Sequence, residues 1–121
     1  MTDQDTPLSR LRELVDAFIE ERDWRQFHNP KDLAAAISIE GAELQELFLW
    51  KSSEEVQASL QQEAVVKSIQ EELADIMIYC LSLANRLDMD VTTAVLNKVE
   101  ANRRKYPIEK AKGNYTKYTD L

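Results

Sequence analysis

Apolar residues recur every three or four positions along most of this 121-residue chain, which is the spacing of one face of an α-helix. Thr6-Pro7 has the form of a capping residue followed by the proline that helices accept at their first position. Asn29-Pro30 repeats that signal and predicts a second helix, from Pro30 through about Trp50. The first helix is predicted to run to about Arg22 on apolar positions at this spacing: Leu8, Leu11, Val15, Phe18 and Ile19.

Three more helical segments follow. The polar stretch 51–64 is predicted to contain a short helix, and a long helix is predicted from about Glu63 to Leu87. The last helix is predicted to begin after Asp90 or Thr92 and to end near Lys105, because Pro107 cannot continue it. The tail beyond it has no regular period and is predicted to be extended.

No stretch alternates apolar and polar residues as a strand does, and no repeat or linker divides the chain. The sequence therefore predicts one all-α domain over residues 1–121, with four main helices in a bundle that is antiparallel where the loops are short. The stretch DIMIYCLSLANRL is apolar over much of the helix circumference, as expected of a helix packed on both sides. Because one thin bundle cannot bury so much apolar surface, we also predict an oligomer.

Carboxylates interrupt the apolar stripes of two helices. Glu40 and Glu43 fall on or beside the stripe that Ile37, Leu44 and Leu47 mark on the second helix. An unpaired carboxylate in an apolar setting costs several kcal/mol. The helix face that is expected to be buried away from water therefore carries two carboxylates, which are more stable in water.

The long helix repeats this pattern. Glu72 lies between Ile69 and Ile76 on one stripe, and Asp75 follows three residues later on the same face. These stripes contain no Lys or Arg that would pair with the acids. Two explanations remain: either the apolar face is narrower and the acids meet water, or a divalent cation holds all four.

The ligand chemistry limits which cation would fit. Carboxylate oxygens suit the hard cations Mg²⁺, Mn²⁺ and Ca²⁺. Zinc and di-iron sites are disfavoured, because His28 is the only histidine and no cysteine cluster exists. Magnesium held by protein acids keeps positions open for water and phosphate oxygens, which indicates phosphoanhydride chemistry.

Other side chains suit a nucleotide. Trp50 lies seven residues after Glu43, about 10 Å further along the predicted helix, where an indole would stack on a base; a core or interface Trp is the alternative. Tyr79 lies four residues after Asp75 and would contact sugar or phosphate, or else is a core Tyr.

The last helix carries a basic face. Lys98, Asn102 and Lys105 share this face, with Arg103 and Arg104 beside it. Such groups would bind phosphates. A solvated basic helix end, which the helix dipole favours, is the alternative.

Composition narrows the classes of partner. The net charge of −7 disfavours nucleic-acid binding, although divalent cations would still let an acidic protein bind a polyphosphate. Cys80, the only cysteine, lies in an apolar stretch and is interpreted as a buried thiol. The polar N-terminus and the absence of an apolar run of about 18 residues predict a cytoplasmic protein without signal peptide or membrane span.

Five segments, in order along the chain, resemble the MazG-like, all-α nucleoside triphosphate pyrophosphohydrolases, and most closely their dCTP pyrophosphatase branch. The resemblance extends from about Leu11 to Leu121 and includes two acidic pairs, Glu40-x-x-Glu43 and Glu72-x-x-Asp75, with 28 residues between them. The segments are ERDWRQFHNPKDL, GAELQELFLWK, EELADIMIY, NRRKYP and KYTDL.

The resemblance implies a role for each of these residues. The four acids would hold Mg²⁺, with Mn²⁺ as a substitute. From the mechanism, we expect one of the acids to orient or deprotonate the attacking water, and we assign this role to Glu43. Trp50 would pack against the base, Tyr79 would contact substrate, and Lys98, Asn102 and residues 103–106 would serve the phosphates. A loop would contact the nucleotide through Trp24, Arg25, Gln26, Phe27 and His28.

The implied reaction is hydrolysis of the α–β phosphoanhydride of dCTP or a modified dCTP, giving the monophosphate and pyrophosphate and so cleaning the nucleotide pool. The implied assembly is a homotetramer, a dimer of dimers. One position departs from the animal members of this branch, which carry a histidine where this chain has Val15, so a strict preference for dCTP is not implied. A dUTP-directed enzyme of the same superfamily and a non-catalytic helical interaction module are the alternatives.

Overall fold

The computed structural model describes all residues, Met1–Leu121, and consists of helices, turns and loops without a strand. The predicted all-α class with four long helices is confirmed. The helices are α1 (Leu8–Glu21), α2 (Pro30–Glu46), α3 (Ser53–Ser59), α4 (Glu63–Arg86), α5 (Val91–Lys105) and α6 (Ile108–Ala111), with 3₁₀ turns at Arg25–Phe27 and Tyr118–Asp120.

Two compact units divide the chain. Met1–Asp88 contains α1 to α4, and Met89–Leu121 contains α5 and α6. The single domain expected over residues 1–121 remains a prediction. None of the helices combines the length and the apolar character that crossing a membrane would require.

Side-chain caps start two of the predicted helices where the sequence placed them. The Asn29 side chain accepts a hydrogen bond from the Asp32 amide at 2.9 Å, and Asp90 accepts one from the Thr93 amide at 2.8 Å. The cap expected at Thr6 is wrong, because its hydroxyl donates to the neighbouring Asp5 carboxylate instead. Pro7 occupies the N-cap position of α1 and supplies no side-chain hydrogen bond.

Helix α2 ends at Glu46, four residues earlier than predicted. Residues 47–50 form turns, and Trp50 adopts a φ of 66°, in the left-handed region that stops a helix. The apolar spacing continues into the turn because Leu47 and Phe48 are still half-buried there. The C-terminal tail is not wholly extended either, since it contains α6 and a 3₁₀ turn.

Helix α4 is the centre of the first unit and packs against both α1 and α2. The most deeply buried apolar side chains come from these three helices: Ile19, Leu33, Leu81 and Ala84. Asn85 ties α4 to α1 through two hydrogen bonds, accepting from Arg12 Nε at 2.9 Å and donating to the Arg12 carbonyl at 3.1 Å. The position of α4 therefore determines where both partner helices lie.

An open apolar cleft of ≈ 450 Å³ runs along α1 and α4. Val15 lies in its wall. Leu73 and Met77 are about half exposed beside it. Other side chains that line the cleft are Leu11, Leu14 and Ile78.

The prediction of a buried thiol is wrong, because Cys80 is exposed. The C-terminal half of α4 is apolar over much of its circumference, but α1 and α2 cover only part of the helix within the unit. The apolar residues of the sequence show that several faces of the helix can be buried. They do not show which of those faces the other helices of the same chain cover.

Candidate functional site

The packing of α2 on α4 brings carboxylates from both helices together. Glu40, Glu43 and Glu72 each place a carboxylate oxygen so that the three oxygens lie within 4.8 Å of one another. Asp75, the fourth predicted acid, is not part of this close group, yet its negative charge raises the pKa of Glu40 and Glu72. We call Glu40, Glu43, Glu72 and Asp75 the acidic cluster.

Two oxygens of the acidic cluster are buried without a hydrogen-bond partner: Oε2 of Glu40 and Oε2 of Glu72. The ion pairs of the chain all involve other acids. A buried acceptor with no donor costs roughly 1–3 kcal/mol, and more when it is charged. The fold therefore holds two groups in an unfavourable state that protein contacts do not relieve.

The electrostatics of the cluster follow from this arrangement. The pKa of Glu40 is raised from 4.5 to about 7, mainly because its carboxyl group is removed from water. A hydrogen bond shared with Glu43 and the negative charges of Glu43, Asp75 and Glu72 add to that increase in pKa. The pKa of Glu72 is raised for the same first reason, followed by the charges of Glu43 and Asp75.

The arrangement fits a divalent cation. If the apolar faces of the helices were narrower than predicted, all four acids would be exposed to water. Glu43 and Asp75 are exposed in this way. That explanation fails for Glu40 and Glu72, whose Oε2 atoms are buried and unpaired. A cation bound by carboxylate oxygens would supply the missing partner and turn the mutual repulsion into coordination, and an all-oxygen donor set suits a hard ion.

A row of aromatic rings ends at Tyr79, which follows Asp75 by four residues on α4. The Trp24 and His28 rings are stacked with centroids 6.4 Å apart, and the His28 and Tyr79 centroids are 6.3 Å apart. Phe18 contacts the outer end of the row edge-on, 5.7 Å from Trp24. The row joins α1, the loop before α2, and α4, and it brings together three of the predicted substrate-binding residues.

The other loop residues have different surroundings. Arg25 forms two 3.0 Å hydrogen bonds with the Asp16 carboxylate and one of 2.8 Å with Glu20, which fixes the loop to α1. The Gln26 amide donates back to the Asp23 carbonyl, and Phe27 is exposed. Arg25 and Gln26 therefore hold the loop in shape in this structure, while Trp24 and His28 form part of the aromatic row.

Trp50 does not lie where its spacing from Glu43 suggested. Helix α2 has ended before it, so the two residues do not share a helix face, and the predicted common face is wrong. The side chain is 94% exposed, which also rules out a core position within this chain. A free indole near the end of α2 remains available to a ligand or to another subunit.

Lys98 and Asn102 lie on α5, in the second unit, and both are exposed. Lys105 on the same helix places its ammonium group 4.7 Å from the Tyr118 ring, and Arg103 pairs with Glu100 at 3.4 Å. The phosphate-binding role of Lys98 and Asn102 remains a prediction.

Sequence reasoning overlooked Ser82. Its side chain is almost fully buried, and its hydroxyl lies 3.2 Å from His28 Nδ1. The signal was present in the sequence as a serine inside the apolar run CLSLA, three residues after Tyr79 and therefore on the same helix face.

The chain is similar to known proteins over most of its length. The profile of the MazG-like family matches residues 35–121, which include the acidic cluster. The dCTP pyrophosphatase 1 of Rattus norvegicus is 43% identical over 114 residues, covering 94% of this chain and 67% of that protein. The dCTP pyrophosphatase 1 of Bos taurus is 45% identical over the same length, covering 94% of this chain and 68% of that protein.

A solved structure resembles the fold. The crystal structure of a pyrophosphatase from Archaeoglobus fulgidus DSM 4304 superposes with a TM-score of 0.77 at 37% sequence identity. The match covers 88% of this chain and 98% of that chain.

The raised pKa of Glu40 predicts how stability depends on pH in metal-free buffer. Because folding raises this pKa from 4.5 to about 7, the folded chain keeps a proton there that the unfolded chain releases. The contribution of Glu40 to stability therefore falls as pH rises from about 4.5 to about 7. Glu40→Gln removes this loss, so its melting temperature should rise relative to wild type across that interval.

Glu46→Gln is the matched control, since Glu46 is an exposed glutamate at the end of the same helix. Its difference in melting temperature from wild type should not change with pH. Thermal melts of the three proteins with a chelator present measure both differences. A difference for Glu40→Gln that stays constant over the interval would contradict the raised pKa.

Proposed function

The chain belongs to the MazG-like family, and on that premise we propose that it hydrolyses dCTP or a modified dCTP to the monophosphate and pyrophosphate. The observation that carries this proposal is the pair of buried, unpartnered oxygens of Glu40 and Glu72 beside Glu43. The similarity to dCTP pyrophosphatase 1 supports a cytosine nucleotide as substrate. Removing such nucleotides would clean the nucleotide pool.

The cation we propose is Mg²⁺, with Mn²⁺ as a substitute, held by Glu40, Glu43, Glu72 and Asp75. When bound, it would neutralise charge on the triphosphate and make the phosphorus easier to attack. The orphaned oxygens support a cation at this point, and the all-oxygen donor set supports a hard one.

Glu43 is the acid that we assign to the attacking water. It is the exposed member of the close group of three, and its carboxylate oxygen lies within 4.8 Å of oxygens of Glu40 and Glu72. A water molecule can therefore reach its carboxylate, which would orient the water toward the phosphorus and accept its proton. Glu40 and Glu72 each have a buried oxygen that is less accessible to water.

The remaining residues would bind the nucleotide. The aromatic row offers flat faces to a base or sugar through Trp24 and Tyr79, on the side of α4 that also carries Asp75. Trp50 offers an exposed indole for stacking. Lys98, Asn102 and residues 103–106 would supply donors for the phosphates.

A panel of nucleotides with Mg²⁺ tests the proposed reaction. We expect pyrophosphate release from dCTP and 5-methyl-dCTP, with less from dUTP and the purine nucleotides. Preference for dUTP would reassign the substrate within the superfamily, and release of single phosphates would contradict the reaction type. If the chain neither hydrolyses any nucleotide nor binds a non-hydrolysable dCTP analogue, a non-catalytic interaction module becomes the better description.

The same assay tests the role of Glu43. Glu43→Gln should lower hydrolysis below detection while its melting temperature in metal-free buffer stays equal to wild type or rises, because one repelling charge is removed from the cluster. Glu46→Gln, three residues further on, should keep wild-type activity. A large loss of metal-free stability in Glu43→Gln would show that Glu43 stabilises the fold instead.

Trp50 gives a separate prediction. Base stacking on an aromatic ring contributes roughly 1–3 kcal/mol, so Trp50→Ala should raise the KM for dCTP by about 5- to 150-fold. The melting temperature should change little, because the ring is 94% exposed in the chain. Leu49→Ala, an exposed neighbour, is the control and should alter neither quantity. Lost stability with an unchanged KM would show that Trp50 packs against another subunit.

We further propose that the chain assembles as a homo-oligomer, a tetramer formed as a dimer of dimers. The apolar cleft along α1 and α4 supports this, because it leaves side chains such as Met77 about half exposed. Sedimentation equilibrium at micromolar protein should give a multiple of 14.0 kDa. Met77→Glu should dissociate the assembly, whereas Gln61→Glu, the same charge change outside the cleft, should not. A wild-type monomer would refute the proposal.

A further inference from the structure

A hydrogen bond between the core of α4 and the aromatic row links two residues that are 54 positions apart in the sequence. Ser82 Oγ lies 3.2 Å from His28 Nδ1. Ser82 is only 2% exposed, so its hydroxyl has no access to bulk water. A buried hydroxyl that fails to donate a hydrogen bond loses the free energy that it had in water, so the direction of this bond matters.

The surroundings of Ser82 determine that direction. The only hydrogen-bond partner of its hydroxyl is His28. Ser68, on the same helix, instead donates to the carbonyl four residues before it, at 3.1 Å from the Ala64 oxygen. Since Ser82 makes no such bond, the one acceptor available to its proton is the Nδ1 atom of His28. The hydroxyl therefore donates, and Nδ1 accepts.

The tautomer of His28 follows from this assignment. A neutral imidazole carries one proton, and if Nδ1 is an acceptor the proton resides on Nε2. The side-chain atoms that are both buried and unpaired are Glu40 Oε2 and Glu72 Oε2. Nε2 of His28 has no partner in the chain and is not one of them, so it reaches solvent.

We propose that Ser82 is a positioning residue that fixes His28 as the Nε2–H tautomer, so that the aromatic row presents a hydrogen-bond donor to an acceptor atom of the nucleotide base. The Trp24 and Tyr79 rings, with centroids 6.4 and 6.3 Å from that of the imidazole, restrict its tilt. The donor therefore keeps one direction. The part concerning the base rests on the proposed function, whereas the part concerning the tautomer does not.

The chemical consequence is a preference among base edges. Cytosine accepts hydrogen bonds at both O2 and N3. Uracil also accepts at O2, but its N3 carries a proton, so a fixed donor that faces N3 would favour cytosine. The opposite tautomer would offer Nε2 as an acceptor and favour a donor on the base. One buried hydroxyl on α4 would thus help to decide which base binds well.

The tautomer can be read directly, because His28 is the only histidine in the chain. In protein labelled with ¹⁵N-histidine, held at about pH 8 where an ordinary imidazole is neutral, the ¹⁵N shifts and ring couplings separate the two tautomers. We expect one dominant species with the proton on Nε2 in wild type. Ser82→Ala should give a mixture, and Ser68→Ala should leave the wild-type pattern unchanged. A wild-type protein with its proton mainly on Nδ1, or an even mixture, would overturn the proposal.

Steady-state kinetics test the proposed role of the His28 tautomer in recognition of the base. Ser82→Ala should raise the KM for dCTP by about 2- to 10-fold, the range for loss of one ordinary hydrogen bond, with kcat nearly unchanged. Ser82→Thr keeps the hydroxyl and should restore both the tautomer and the KM. Melting curves of both variants show whether they fold as wild type does. A changed tautomer with an unchanged KM in Ser82→Ala would overturn the role in base recognition.

Failure of the proposed function has a different signature. If wild type releases no pyrophosphate from any nucleotide, the enzymatic proposal fails, and the ¹⁵N spectrum still decides whether Ser82 sets the tautomer. If hydrolysis proceeds but His28 has its proton on Nδ1, the enzymatic proposal stands and the role of Ser82 is refuted.

Discussion

The contact between α2 and α4 forces carboxylates together, and the candidate chemistry of the chain depends on that contact. Packing brings oxygens of Glu40, Glu43 and Glu72 within 4.8 Å of one another and removes two of the oxygens from water. Without a cation, this arrangement destabilises the charged carboxylates, and for the same reason the pKa of Glu40 is raised. Apolar burial along the same two helices offsets that cost, so the fold can hold an anionic centre ready for a cation.

Helix α4 carries this centre and most of its surroundings. Glu72, Asp75, Tyr79 and Ser82 are spaced by three, four and three residues, which keeps them on one face over about 15 Å. The acids lie at one end of this face, and the residues that contact His28 lie at the other. Much of the remaining surface of α4 is apolar and borders the open cleft. One helix therefore supplies cation ligands, a support for the aromatic row and a surface for assembly.

The position of the loop between α1 and α2 depends on ion pairs as much as on contacts between aromatic rings. Arg25 is held by two carboxylates of α1, and this anchoring places Trp24 beside His28, whose ring lies near Tyr79 of α4. The pairs are partly exposed, so each contributes little to stability. Their effect is geometric, because a loop held at Arg25 has fewer conformations in which Trp24 and His28 can lie.

The sequence by itself determined the helices, the cap residues Asn29 and Asp90, and the spacing of the four acids, because these features depend on neighbours within a few residues. It did not determine the end of α2, since Leu47 and Phe48 keep a helical spacing in what is a turn, and so Trp50 was expected on the wrong face. Only tertiary structure decided that Cys80 is exposed, that the Oε2 atoms of Glu40 and Glu72 are buried without partners, and that Ser82 meets His28. Each of these depends on which face of α4 another helix or loop covers, and a helix that is apolar over much of its circumference does not encode that choice in its own periodicity.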